Sequence, residues 1–348
     1  MAKYIGYVGT YTKEESKGIY RFILDTDKEE LNQVEIAAEI DNPTYVNVTN
    51  DNKLLYAVGK AGEEAGVSAF KINKEAAELS LLNSQTAPGS SPCHVSISND
   101  NSTVVTANYH TTVVASYLTN EDGTLNPATS FIEHEGSGPH HRQEKPHMHY
   151  AGFTPDEKFV VAVDLGSDKV ISYAIDNGTL TEAQVYHAKP GSGPRHITFH
   201  PSGKFAFVMT ELSSEVISLQ YNEVDGSFTE LQTISTLPED YNETNDGSAI
   251  HISDDGKFVY VGNRGHNSIA IFSVNQDTGI LSFVDRVSSE GNWPRDFVID
   301  PSQKYIVASN QKSNSLILYR RNEVTGKLTV IQTDVKVPEP VCIKFLNS

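Results

Sequence analysis

The chain has 348 residues, 45 of them acidic and 27 basic, for a formal charge of −18. That balance argues against nucleic acid or an anionic membrane as partner, since both are held by clustered positive potential, and it makes any local gathering of arginine and histidine informative. Hydrophobic residues make up 38%, with 16 Tyr, 14 Phe and one Trp, which is enough for a core interrupted by many turns.

The opening stretch, Met1-Ala-Lys-Tyr-Ile-Gly-Tyr-Val-Gly, enters a strand pattern directly, without a charged segment leading into an apolar one. No run approaches the ~18 consecutive apolar residues of a membrane span. A soluble cytoplasmic protein is expected, monomeric or weakly self-associating. Cys93 and Cys342 have neither metal-type spacing nor the pattern of a disulfide framework.

Along the chain one turn recurs, at Asn50–Lys53, Asn99–Ser102, Pro155–Lys158, Pro201–Lys204, Asp254–Lys257 and Pro301–Lys304, with successive starts 49, 56, 46, 53 and 47 residues apart. Before each copy stands a short alternating run such as His196-Ile-Thr-Phe199. After each comes a β-rich run such as Phe159-Val-Val-Ala-Val163, then a third run such as Ser268-Ile-Ala-Ile-Phe272. Next is a turn of the Asp122-Gly-Thr-Leu125 kind, and a fourth short run closes the unit. Period-two alternation with Gly- and Asn-rich turns reads as strands. Four antiparallel strands per repeat of about 50 residues is the pattern of a propeller blade. Six repeats are complete. The seventh is split: residues 4–31 lack a first strand, and Pro340-Val-Cys-Ile-Lys-Phe345 supplies one. The expectation is an all-β, seven-bladed β-propeller forming a single domain over 1–348, its ring closed by pairing of the two ends, which hides two sheet edges.

In an antiparallel blade the start of the first strand and the end of the second lie at the same end of the sheet. These positions therefore ring one central mouth. At first-strand starts stand Cys93 and His94, His147 and His149, Arg195 and His196, and Arg295 and Asp296. At second-strand ends stand Asn108, Asp164, Thr210, Asn263 and Asn310, followed by Tyr109, Leu165, Glu211, Arg264 and Gln311. Glu211 and Arg264 are thus equivalent on successive blades. The opposite rim offers ordinary solvated hairpins.

Each residue also has a plainer interpretation. Histidine at a strand start is commonly a satisfied structural residue, and Asp164 and the Asn series can simply cap strands or tie blades together. The segment 134–149 carries five histidines, and His147 and His149, two apart on a strand, would share a face. No third ligand accompanies them and no His-Glu-x-x-His occurs, so no metal is expected. Gly-x-Ser-x-Gly, P-loop and dinucleotide fingerprints are absent.

The repeat, together with Tyr7-Val-Gly-Thr-Tyr11, Lys145-Pro-His-Met-His149, Gly193-Pro-Arg-His196, Asn263-Arg264 and Trp293-Pro-Arg-Asp296, resembles the propeller-type 6-phosphogluconolactonase family, itself similar to the fungal carboxymuconate-lactonising enzymes. The resemblance covers essentially the whole chain. It implies a site of one His, one Glu and two Arg, matched by His147, Glu211, Arg195 and Arg264. The activity implied is hydrolysis of a phosphorylated sugar lactone, 6-phosphogluconolactone, without cofactor. In that scheme His147 activates water, and Arg195 and Arg264 stabilise the oxyanion and grip the substrate anion. Glu211 orients an Arg or shuttles the proton, and Arg295 and His196 face the 6-phosphate. His149, His94, Asp296, Asn108 and Asp164 complete the substrate-binding rim. Two alternatives stand beside this: lactonisation of a muconate-like diacid, and a binding or scaffold propeller without chemistry.

Overall fold

The computed structural model describes residues 2–347. It is a seven-bladed β-propeller, each blade a four-stranded antiparallel sheet. The first strands, which touch those of neighbouring blades all round the ring and so surround its axis, are Pro340–Phe345 in blade 1 and then Val46–Val48, His94–Ile97, Met148–Phe153, Pro194–Phe199, Asp246–Ile252 and Pro294–Ile299 in blades 2 to 7. Blade 1 is closed as the sequence indicates. Strand Pro340–Phe345 pairs with Lys3–Thr10, Gly6 opposite Phe345 and Gly9 opposite Cys342. The N-terminal part of that blade extends further than residue 31, through an outermost strand Glu30–Glu39.

Burial follows position in the blade. Second strands such as Phe159–Asp164 and Phe205–Thr210 are buried at every residue, because neighbouring blades cover both of their faces. Outermost strands such as Thr179–His187 are half exposed, and their sequences turn polar accordingly. Among the described residues no helix is long and apolar enough to cross a membrane.

One contact recurs at all seven junctions: a hydroxyl on one blade donates to a carbonyl in the outer turn of the next. The pairs are Tyr7 to Ala77, Tyr56 to Gly123, Ser116 to Gly178, Ser172 to Gly226, Ser218 to Gly279, Tyr260 to Gly326 and Tyr305 to Thr26. The turn glycine is needed for two reasons. Gly226 has φ +77°, and a Cβ there would stand 2.9 Å from the Phe159 ring of the preceding blade.

Candidate active site

The mouth at one end of the axis is a cavity of about 430 Å³ whose lining includes Cys93, Tyr109, Arg142, His149, Glu211, Arg264 and Arg295. A repeated irregularity aims several of these residues. In blade 4, Met148 pairs with Asp164 and Tyr150 with Val163, which leaves His149 as an extra residue. In blade 5, Pro194 pairs with Thr210 and His196 with Met209, which leaves Arg195. In blade 7, Pro294 pairs with Asn310 and Asp296 with Ser309, which leaves Arg295. Each is a β-bulge, which bends the strand and re-aims the side chain it carries. His149, Arg195 and Arg295 are therefore structurally equivalent.

Glu211 is the centre of charge. Its side chain is 3% exposed, with Oε2 lying 2.7 Å from Arg264 Nη2 and 3.0 Å from Arg195 Nε, and Oε1 held by Arg142. Burial raises the carboxyl pKa, but Arg264, Arg195, His149 and Arg142 outweigh it and hold the group ionised, far below the usual range. The arginines are fixed in turn, Arg195 Nη1 donating to Ser248 O at 2.6 Å and Arg264 Nη2 to Gly247 O at 2.6 Å. Burial and the neighbouring Arg264 push Arg195 down to about 10, so it stays charged at neutral pH.

Of the two histidines expected to share a face, only His149 lines the cavity. The bulge breaks the alternation between them. His147 lies beneath Tyr109, its ring stacked at 4.1 Å, with Nδ1 3.0 Å from Tyr109 O and Nε2 3.3 Å from Glu144 Oε1. Both nitrogens face acceptors, so the geometry does not offer His147 as a free base. His149 is buried, its Nδ1 3.9 Å from Cys93 Sγ. Burial, and then Arg195, hold its pKa well below the usual histidine value, leaving the ring neutral.

His94 and His196 belong to a layer below the cavity. His94 is packed between Tyr45 and Tyr150 at 4.2 and 4.3 Å, and His196 stands 5.2 Å from His149 and 5.4 Å from His94. His196 is thus removed from the lining, and the expectation that it faces a phosphate does not match its place. Asp296 is in the same layer, accepting from Ile343 N at 2.9 Å and lying 3.3 Å from His251 Nε2, where it ties blade 7 to the closing strand. Asn108 and Asp164 organise loops. Asn108 Oδ1 accepts from His110 N and Thr111 N, and Asp164 accepts from His147 N, Gly166 N and Ser167. Of the remaining expected residues, Arg295 lines the cavity, whereas Arg195 acts from behind it through Glu211 and His149.

The molecule has close relatives. Residues 5–345 match the family model described as lactonase, 7-bladed beta-propeller. The chain belongs to this lactonase family. Its activity is that of a lactone hydrolase. A 6-phosphogluconolactonase of Bacillus subtilis is 54% identical over 347 residues, covering 100% of this chain and 99% of the relative. A crystal structure of a Lactobacillus plantarum protein superposes with a TM-score of 0.96 at 39% identity, over 99% of this chain and 100% of that one. The periplasmic gluconolactonase of Pseudomonas aeruginosa does so at 0.94 and 30%, over 99% of each chain.

Three cavity residues of this lactonase are not apparent from the sequence. Arg142 comes from the connection before blade 4, longer than that of any other blade, and it bridges Glu211 and Asp246 Oδ1, the latter at 3.0 Å. Lys13 and Lys60 come from blades 1 and 2. There Leu54–Ala61 joins Glu64–Ile72 by a two-residue turn, so the rim position is shifted from that of later blades. The histidine-rich loop is dispersed rather than gathered: His134 bonds Tyr173 Oη at 2.6 Å and His140 packs on His141. Among the described residues no three His, Cys, Asp or Glu side chains are grouped to hold a metal ion.

Proposed function

We propose that this lactonase hydrolyses 6-phosphogluconolactone to 6-phosphogluconate, with His149 as the base. The observation carrying this reading is a neutral imidazole, aimed into a cationic cavity by a β-bulge, beside guanidiniums fixed by one buried carboxylate. The name and 54% identity of the Bacillus subtilis relative support the substrate.

In this scheme water in the cavity attacks the lactone carbonyl as His149 takes one of its protons. Arg264 and Arg142, which line the cavity, stabilise the tetrahedral oxyanion, a donor in such a position being worth ~2.7–4 kcal/mol. As the carbon–oxygen ring bond breaks, the His149 imidazolium returns the proton to the leaving ring oxygen. The remaining acid proton leaves to solvent and the product is the carboxylate. Glu211 is ionised and enclosed by arginines, so it serves as their anchor and not as the proton donor. Burial first, and Arg195 beside it, hold the His149 imidazole in its unprotonated form.

The direct test is turnover of freshly prepared 6-phosphogluconolactone beside carboxymuconate, corrected for spontaneous hydrolysis. Turnover of the lactone alone supports the proposal. Lactonisation of the diacid with no effect on the phosphorylated lactone would overturn it.

A further inference from the structure

The cavity mouth has two chemically different halves. Blades 4 to 6 supply His149, Glu211 and the guanidiniums bound to it, whose charge is largely answered within the protein. Blades 7, 1 and 2 supply Arg295, Lys13 and Lys60, and none of these three makes a salt bridge among the described residues. Unanswered cations lining one cavity are conspicuous in a chain of charge −18.

Two of them converge on a single ring. Lys13 Nζ lies 4.4 Å from the centroid of Tyr11, and the Arg295 guanidinium lies 5.3 Å from it. Glu339 beside them is committed to the backbone, its Oε2 accepting from the N–H groups of Lys13 and Glu14 at 2.9 and 2.8 Å. That contact fixes the Lys13 loop without answering its side-chain charge. Lys60 lines the same cavity from blade 2, where Thr44 and Ser91 contribute further polar lining.

We propose that Lys13, Lys60 and Arg295 form the seat for the substrate's phosphate group and set the preference of the enzyme for a phosphorylated lactone. This rests on the lactonase site proposed above, with His149 and Arg264 at the reacting end and the three cations at the distal end. A guanidinium presents a fork to phosphate oxygens, and two ammonium groups add mobile point charges around it. The lysines are exposed, so their desolvation costs little until a dianion is bound.

The test compares kcat and KM for 6-phosphogluconolactone and for unphosphorylated gluconolactone in the parent and in the Lys13→Gln/Lys60→Gln double variant. Losing two charge-assisted contacts is expected to raise KM for the phosphorylated lactone ~10–100-fold with kcat little changed, and the preference over the unphosphorylated lactone should fall by the same factor. Inorganic phosphate should inhibit the parent competitively and the double variant more weakly. An unchanged preference, with unchanged inhibition by phosphate, overturns the assignment while leaving the lactonase reading in place. If the parent opens neither lactone, that reading fails instead, and calorimetry decides the seat independently. Tighter binding of 6-phosphogluconate than of gluconate, lost in the double variant, supports it, and equal binding of the two overturns it. Both lysines are at the surface, and a thermal melt matching the parent confirms that the variant is folded.

Discussion

Tyr109 lies flat on His147, their rings 4.1 Å apart with planes 16° from parallel, and so separates that histidine from the cavity that His149 lines. Two histidines separated in sequence by Met148 alone thereby occupy different environments. His149→Asn is expected to lower kcat ~10²–10⁴-fold, the usual worth of a positioned general base. His147→Asn should cost less than tenfold in kcat, through a looser Tyr109. Steady-state rates on both variants check this, and the reverse ranking would return the base to His147.

The Glu211→Gln variant tests the anchor. It removes the one carboxylate that, among the described residues, contacts both Arg195 and Arg264, and leaves buried guanidiniums facing each other. Breaking a buried pair in this way costs about 3–5 kcal/mol. Denaturant unfolding should register that loss together with a fall in kcat. A variant as stable as the parent would show that the arginines do not depend on Glu211.

The pH dependence has a definite sign. His94, His149 and His196 all have pKa values held well below the usual 6.5, by burial first and by nearby cations. Above pH 6.5 these rings are neutral both folded and unfolded, so they contribute no pH dependence. As pH falls below 6.5 the unfolded chain takes up protons that the folded protein refuses, and stability declines by up to ~1.4 kcal/mol per pH unit for each ring. Glu211, its pKa depressed when folded, adds a further loss below its ordinary value of 4.5. Melting temperature should therefore drop between pH 7 and 5, while kcat holds down to pH 6.5 because the base is still neutral. A midpoint in kcat at or above 6.5 would speak against a buried neutral His149.

Chelation should leave turnover intact. Lactone opening by an imidazole base and guanidinium donors uses no metal step. Loss of rate in EDTA, restored by one divalent ion, would reassign the histidines as ligands.

Removing residues 340–348 should abolish the folded ring. The deletion strips blade 1 of its first strand and with it the buried Val341, Cys342, Ile343 and Phe345, the larger apolar side chains each contributing roughly 1.5–3 kcal/mol of burial. It also opens two edges. A truncated chain melting with the parent would show that closure is dispensable.

The blade count and the split blade are legible in the sequence because one turn recurs with the same neighbours in every repeat. Arg195, Glu211 and Arg264 are legible for the same reason, since repeat register maps onto one rim. The proposed base is not, because a β-bulge displaces side chains by one residue and leaves no local signature in Lys145-Pro-His-Met-His149. Only the pairing of Met148 with Asp164, matched against Pro194 with Thr210, equates His149 with Arg195. Arg142 is hidden because it lies in the added length of its loop, outside the register that the repeats share. Lys13 and Lys60 are hidden because blades 1 and 2 have turns of different length at the rim.

The hydroxyl-to-turn contact that fastens each blade to the next has a consequence for where the chain can be cut. Tyr305 fastens the composite blade to blade 7, as Tyr260 fastens blade 7 to blade 6, and Tyr7 fastens blade 2 to the composite blade in turn. The junctions on either side of the blade built from both ends of the chain therefore carry the same kind of fastener as the rest. In that blade the two ends meet between a first and a second strand, where every other blade has only an exposed hairpin. A circular permutant with the present ends joined by a short linker, and new ends opened at the Asp254–Lys257 hairpin, should rebuild the same ring with another blade as its composite.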